Sequence, residues 1–261
     1  MKTLLFLLLG CLAATTGYGQ NNRLTDHNTI GWLVYVGDHK IAPKWTLHTE
    51  YQARRVQWLR VPQNQLSRLG LSHTLTDRVK VSGGYTYFQS FRYGDYPTVA
   101  THHATPEQRI YEDVTLSDPL GRLSLSHRIR LEQRWLGTRA DGGEGGVAKW
   151  TYQNRIRYQL SGELALQGAT LDDGEWYLNF FDELFMGFGP NVQNNIFNQN
   201  RLSAGPGYQF TKDAKVELNY LYQLSQHAGP DPASGQPVFE DNNGFRLNVI
   251  YSLDFTRKAA Q

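Results

Sequence analysis

The sequence predicts an all-β protein, a single antiparallel transmembrane β-barrel of about 10–12 strands of the outer-membrane type. Three observations lead to this fold class. The 261-residue chain contains 15 Tyr, 12 Phe, 6 Trp and 25 Gly, although only 19% of its residues are charged. Polar and apolar residues alternate with period 2 along almost its whole length. Tight turns and long polar loops follow one another between the alternating segments.

The composition also excludes several other classes. Mean hydropathy is negative, which argues against a helical membrane bundle, since each of its helices needs about 20 apolar residues in a row. The aromatic content is too high and the charge too low for a disordered chain. A formal net charge of +2 offers no basic excess, so we expect no nucleic-acid partner.

The first segment has the features of a secretory signal peptide. Lys2 supplies a positive charge, Leu4–Leu9 form a short apolar run, and small residues from Ala13 to Gly19 suit cleavage. We therefore predict a cleaved signal at residues 1–19 and export to the outer membrane of a Gram-negative cell. A lipoprotein signal ending at Cys11 is the alternative.

Cys11 is the only cysteine and lies inside the predicted signal peptide. The mature chain then has no thiol for a disulfide or a zinc–thiolate site. No cofactor and no metal site is expected. The remaining chain has no linker or shift in composition. We therefore predict an N-terminal extension at residues 20–28, one barrel domain at 29–256 and a C-terminal tail at 257–261.

Eleven segments have the length and alternation of strands. In chain order they are Thr29–Val36, Lys44–Val56, Gln65–Thr76, Val79–Phe91, Gln108–Ser117, Gly121–Leu136, Lys149–Leu160, Glu175–Gly187, Phe197–Phe210, Lys215–Leu224 and Phe245–Phe255. Bacterial barrels of one chain normally have an even strand number. If Phe255 lies on the periplasmic side, a barrel of eleven strands places the beginning of the first strand on the extracellular side. Part of a strand within residues 20–28, one wrong weak strand, or a short extra strand at Glu163–Leu171 would restore the even number.

The two faces of the strands differ in charge. Arg128, Arg130, Glu132 and Arg134 share one face, and one Arg on the lipid side costs roughly 2–4 kcal/mol. This face must therefore point inward, and the face rich in Tyr, Trp and Leu must meet lipid. Strands of about 13 residues exceed the usual ~5–6 of soluble sheets. These lengths favour a membrane barrel over the alternative, a soluble periplasmic β-sandwich.

Aromatic residues are predicted to form girdles at both interfaces. Trp135 and Trp150 flank one long loop, whereas Phe210 and Phe255 end strands on the opposite side.

Several motifs occur in a fixed order along these strands. They are His127–Trp135, Asn154–Tyr158, Asp182–Phe185, Asn198–Leu202 with Gly205 and Gly207-Tyr208, and Glu217–Gln223. This succession resembles the bacterial family called domain of unknown function 2490, whose members look like outer-membrane β-barrels. The resemblance covers roughly residues 29–255. The resemblance implies the fold and the location, and it implies no particular activity.

The inward face is predicted to carry an excess of cations. These are Arg54, Arg68, Lys80, Arg128, Arg130, Arg134, Arg155, Arg157, Arg201, Lys215 and Arg246, against the anions Glu50, Glu132, Glu183, Glu217 and Asp254. The predicted lumenal binding residues are Arg128, Arg130, Glu132, Arg134, Arg155, Arg157, Glu183 and Arg201. Two interpretations stay open. Arg and Glu can cross-link and fill the lumen, or they can line a narrow anion-preferring, porin-like channel or a phosphate or carboxylate site.

Two other functions are considered. A lipid-modifying enzyme would need a nucleophile or base, for which Ser126, His127, His48 and the pair His102-His103 are present, yet no catalytic motif accompanies them. We therefore assign no catalytic residue and expect no enzyme. Long loops at Arg92–Glu107 and Ala228–Asn243 could instead serve a structural or surface-binding role. The expected partners are outer-membrane lipids and lipopolysaccharide, and no protein partner can be named.

Overall fold

The computed structural model describes residues 22–100, 102–192 and 195–256, so the predicted signal peptide and the predicted C-terminal tail lie outside the described residues. Within those ranges the chain forms eleven strands, in agreement with the eleven predicted. They are β1 (Leu24–Ala42), β2 (Trp45–Val56), β3 (Val61–Thr74), β4 (Val79–Ser90), β5 (Thr105–Leu120), β6 (Leu123–Arg139), β7 (Val147–Ala165), β8 (Glu175–Phe188), β9 (Phe197–Thr211), β10 (Ala214–Gln226) and β11 (Val238–Tyr251).

The strands close into one barrel in which each strand pairs with its neighbours in sequence. The predicted fold class is confirmed, with one difference: β1 and β11 pair in parallel, from Leu24↔Val238 to Val36↔Ile250. An odd number of strands requires this, because the first and last strands then run in the same direction. Closure leaves no free sheet edge, which a barrel in lipid needs because the membrane offers no water to unpaired backbone groups.

The connections differ in length at the two ends of the barrel. At the end that we call the turn end, most connections are short: 43–44, 75–78, 121–122 and 212–213, with a longer one at 166–174. The other end, the loop end, has connections at 57–60, 91–104, 140–146, 189–196 and 227–237. Phe255 lies at the turn end, where its amide donates to the Lys40 carbonyl at 2.9 Å. The chain enters β1 at the loop end, as an odd strand number demands.

Two predicted boundaries need correction. β1 begins at Leu24, so residues 24–28 belong to a strand. β11 begins at Val238 and ends at Tyr251, whereas the prediction was Phe245–Phe255. Polar residues on both faces of 238–243 conceal the alternation there. The proposed extra strand at Glu163–Leu171 is absent from the described structure, since 163–165 complete β7 and 166–171 belong to a turn.

Side chains alternate between an apolar outside and a polar inside. The large apolar residues exposed on the outer surface include Leu33, Leu69, Ile110, Val114, Ile129, Leu178, Leu202, Leu218 and Val249. Trp135 and Trp150 lie near the loop end, while Trp45, Trp176 and Phe210 lie near the turn end, as expected for interfacial girdles. Asp182 also faces outward, where it accepts a hydrogen bond from Asn200 at 2.7 Å.

The aromatic face is not purely external. Trp32, Tyr111 and Tyr177 are buried inside the barrel, which corrects the expectation that Tyr and Trp belong to the lipid side. A lumen of this width needs large side chains to fill it, and aromatic rings also offer their faces to cations.

Candidate functional site

The lumen contains a dense set of charged side chains carried by most of the strands. All eight residues predicted from the sequence face inward: Arg128, Arg130, Glu132, Arg134, Arg155, Arg157, Glu183 and Arg201. Most of them join one ion-pair network.

Glu132 and Glu183 bind the arginines of β6 and β7. Glu132, only 1% exposed, accepts hydrogen bonds from Arg155 Nε at 2.8 Å and from Arg157 Nη1 at 2.7 Å. Glu183 accepts from Arg157 Nε at 3.0 Å and from Arg128 Nη2 at 2.9 Å. Arg157 therefore bridges two carboxylates from opposite sides. The network follows the register, since Glu132 and Arg155 are direct cross-strand partners.

β5 contributes a second pair of carboxylates, which the sequence analysis missed. Glu107 accepts from Arg109 at 2.7 and 2.9 Å and from Arg134 at 2.5 and 3.2 Å. Asp113 accepts from Arg130 Nε at 2.8 Å. Because β5 also has polar residues on its outer face, its alternation in hydropathy is weak. The signal available was the spacing of Glu107, Arg109 and Asp113, which places all three on one face.

A further ion pair lies on β2 and β3. Glu50 and Arg68 are cross-strand partners on β2 and β3 and form an ion pair. His48 lies beside them, with Nδ1 at 2.8 Å from Asp38 Oδ1 and Nε2 at 3.5 Å from Glu50 Oε2. This placement makes His48 a member of the lumenal network.

Guanidinium groups also contact the buried rings. The Arg109 and Arg130 guanidinium carbons lie 4.1 Å from the ring centres of Phe88 and Tyr111 respectively, and that of Arg157 lies 4.4 Å from the centre of Phe185. Such contacts are attractive because the ring face carries negative charge. Aromatic and carboxylate groups together hold these arginines in position.

A cavity of about 540 Å³ occupies the lumen between these walls. At the loop end its lining includes Thr98 and Ala228. Toward the turn end it reaches Asp38, which lies four residues before the end of β1, and His48, which lies three residues after the start of β2. Among the described residues nine arginines line it, against five carboxylates, so its wall carries a formal excess of four positive charges. Arg130 and Glu132 are inward but do not line this space.

A layer of polar and charged side chains fills the lumen near the turn end. Tyr177, fully buried, donates to Glu217 at 2.8 Å, and Asn248 donates to the same carboxylate at 2.6 Å. Lys215 donates to Glu163 at 2.9 Å. Any solute that crosses the barrel must pass this layer.

The loop end is partly covered by the 91–104 loop. Tyr93 donates to Glu240 Oε2 at 2.8 Å, and His227 lies 2.8 Å from the other oxygen of that carboxylate. Asp26 accepts from the backbone amides of Asp95 and Tyr96. Burial, and then the Glu240 carboxylate, raise the pKa of the Tyr93 phenol well above its usual range. The loop is thus anchored from β1 and β11.

The remaining histidines considered for catalysis are dispersed. His127 faces outward near the turn end, 2.9 Å from the Tyr158 hydroxyl, and His103 lies in a loop 3.0 Å from Glu144. His102 is exposed in the same loop. Among the described residues no three His, Cys, Asp or Glu side chains are placed to hold a metal ion. Helices long and apolar enough to cross a bilayer were sought in the same residues, and none was found.

A closed barrel with an apolar outer belt, aromatic girdles and a charged lumen defines the class of outer-membrane-type β-barrels. The sequence model of the family described as "Protein of unknown function (DUF2490)" matches residues 29–233, and the chain belongs to this family. The match ends in the connection before β11, whereas the sequence analysis expected it to extend to about residue 255.

The comparison of structures finds OmpT (in-vitro folded), an outer membrane protein of Vibrio cholerae. The two share 13% sequence identity with a TM-score of 0.37, over 80% of this chain and 58% of that chain. The chain thus spans less than two thirds of the length of that protein. No curated protein matches the sequence.

Proposed function

We propose that this protein resides in the outer membrane and that its arginine-lined lumen admits small anions along a narrow path. The observation that carries this proposal is the cavity lining, in which nine arginines face five carboxylates. The outer apolar belt supports the location, since the lipid side of a barrel must be apolar.

The excess positive charge gives a physical basis for anion preference. A channel with low-dielectric walls concentrates the field of its lining charges, which raises the local concentration of counter-ions and repels ions of the same sign. The excess of arginines over carboxylates around this space of about 540 Å³ therefore favours anions over cations.

The dimensions support small solutes. A cavity of this volume is within the range of about 300–1,000 Å³ that suits small ligands. Near the turn end Tyr177 and Glu217 narrow the path further. We therefore expect low conductance and exclusion of large solutes.

The test is conductance of the purified full chain in planar bilayers. With a tenfold gradient of potassium chloride, the reversal potential should indicate preference for chloride, and single-channel currents should be small. Absent currents or a cation preference would contradict the proposal.

A structural barrel with a filled lumen is the second candidate. The observation that favours it is the pairing of Arg128, Arg155 and Arg157 with Glu132 and Glu183, which cross-links three strands. A barrel of this kind would conduct no ions, and replacing Glu183 with Gln would lower its stability without opening a conducting path.

A further inference from the structure

Three lumenal arginines differ from the others because no carboxylate is dedicated to them. Arg54 and Arg246 have no carboxylate oxygen within 4.0 Å among the described residues. Arg201 Nη1 lies 4.0 Å from Glu183 Oε2, and Glu183 already binds Arg128 and Arg157. All three line the cavity.

Two of the three arginines contact one buried ring, that of Trp32, and the third lies beside it in the sheet. Trp32 is the direct cross-strand partner of both Arg54 on β2 and Arg246 on β11, so the three residues form one inward row. The Arg54 guanidinium carbon lies 3.9 Å from the Trp32 ring centre, and that of Arg201 lies 4.9 Å from it. Arg246 lies 5.4 Å from the Phe181 ring centre. We call Arg54, Arg201 and Arg246 the open arginines.

The hydrogen-bonding capacity of Arg54 and Arg246 is largely unused. Arg54, only 5% exposed, donates Nε to Gln52 at 2.8 Å, and its terminal nitrogens have no partner among the described residues. Arg246 Nε is buried without a partner in the same part of the chain. Arg109 and Arg134 differ, since each donates twice to Glu107.

Amide groups complete the surroundings of Arg201. Its Nε donates to Gln223 Oε1 at 3.1 Å, and its Nη2 lies 2.8 Å from Gln199 when that amide oxygen faces the guanidinium. Neutral amides orient Arg201 but do not cancel its charge. The open arginines thus present three positive charges to one region of the cavity with no more than a shared carboxylate to offset them.

We propose that the open arginines form a binding site for a tetrahedral, doubly charged oxyanion, either inorganic phosphate or a phosphate monoester. A phosphate monoester carries about −1.5 to −2 charge near pH 7 and three strong acceptor oxygens, and inorganic phosphate has a fourth oxygen. Three guanidinium groups held by separate strands can each donate to a different oxygen. This inference rests on the proposed function only in that the anion must reach the lumen.

The first test is phosphate binding to the full chain by titration calorimetry, in a sugar detergent free of phosphate and at low ionic strength. The matched variants are Arg54→Gln and Arg246→Gln, with Arg78→Gln as control, because Arg78 is exposed at the turn end. Each lumenal variant should weaken phosphate binding about tenfold or more, since it removes a charged donor from a desolvated site. The control should bind as tightly as the unchanged protein.

Competition in the unchanged protein keeps the test independent of variant folding. Sulfate should displace phosphate, whereas succinate and chloride at equal concentration should not. Binding of succinate more tightly than phosphate would overturn the proposal that the site is specific for a tetrahedral oxyanion. A soluble phosphate monoester and a lysophosphatidic acid micelle, tested as competitors, distinguish a free ligand from a lipid headgroup as the source of the phosphate.

The outcomes separate this inference from the proposed function. Chloride-selective currents with no saturable phosphate binding would overturn the site and leave the channel standing. Phosphate binding that depends on Arg54 and Arg246, in a barrel without conductance, would support the site and contradict the channel. Binding that all three variants retain equally would overturn the assignment to the open arginines.

Discussion

Single residues in the lumen have different energetic roles although they share a charge. Arg155 and Arg157 share the Glu132 carboxylate, and Arg157 also binds Glu183, whereas Arg54 is oriented by an amide and a ring. A buried charge without its partner is strongly unfavourable, so the paired arginines stabilise the wall only while their carboxylates remain. The open arginines are therefore better suited to an external anion.

Replacing Glu132 with Gln should destabilise the barrel by about 3–5 kcal/mol, because Arg155 and Arg157 would lose a buried counter-charge. Urea unfolding in detergent, followed by tryptophan fluorescence, measures the change. Glu144→Gln is the control, since that side chain is 64% exposed in a loop, and it should change stability by no more than about 0.5 kcal/mol. Equal effects of the two substitutions would mean that the lumenal network contributes little.

The inward orientation of these residues could be predicted from the sequence, but their pairing could not. Alternation identifies which residues share a face, because neighbouring side chains on a strand point to opposite sides. Which carboxylate meets which arginine depends on the register between strands. The open arginines became visible only when Glu107 and Asp113 were found paired with Arg134 and Arg130.

Among the strands and loops, the parallel seam is the most unusual element. At the seam Gly244 on β11 is the partner of Ile30 on β1. A Cβ at Gly244 would collide with the Ile30 carbonyl oxygen, a backbone atom that cannot move without disturbing the pairing. A residue without a side chain is therefore required where the two strands approach.

Gly244→Ala should destabilise the closed barrel by about 1–3 kcal/mol through this overlap. Gly229→Ala, in the connection before β11, is the matched control, since a Cβ there meets no atom within 4 Å. On unboiled gels, the compact band of Gly244→Ala should disappear at a lower temperature than that of the unchanged protein. If both variants lose the compact band at the same temperature, β1 and β11 do not approach each other at Gly244 as closely as the structure indicates.

The 91–104 loop provides a second prediction for a single element. Because the pKa of Tyr93 is raised in the folded barrel, its phenol stays protonated while an unfolded tyrosine ionises near pH 10. The unfolded state then binds fewer protons, so stability falls as pH rises above about 10. The contribution of Tyr93 is fully present below that pH.

Tyr93→Phe should therefore reduce the free energy of unfolding by about 1.5–3 kcal/mol at pH 8, through loss of the hydrogen bond to Glu240. Above pH 10 the difference between the two proteins should shrink. Unfolding measured from pH 8 to 11 checks both statements. A difference that is constant with pH would show that the phenol is not the titrating group.

The whole molecule is governed by the contrast between its two surfaces. Apolar side chains such as Ile129 and Leu218 cover the outside, and the charges of the same strands face inward. In water this arrangement would expose a large apolar surface, whereas in a bilayer it removes that surface from contact with water. The environment is thus part of the explanation of the fold.

Ile129→Arg should destabilise the barrel in lipid vesicles by roughly 2–4 kcal/mol, because Ile129 lies outward near the middle of β6. Leu120→Arg, on the same outward face but at the turn end of β5, should cost about 0–1 kcal/mol. Unfolding from vesicles measures both. If Ile129→Arg is tolerated as well as Leu120→Arg, the outer surface around Ile129 does not meet acyl chains.

The fold class, and which face of each strand points to the lumen and which to lipid, follow from local pattern alone. Strand periodicity shows which residues share a face, and the cost of charge in lipid shows which face must point inward. The parallel seam, the inward Trp32 and the lack of a dedicated carboxylate for Arg54, Arg201 and Arg246 among the described residues depend on contacts between residues far apart in the chain. Only closure of the barrel decides them, since closure sets which side chains meet across the lumen and how much space is left between them.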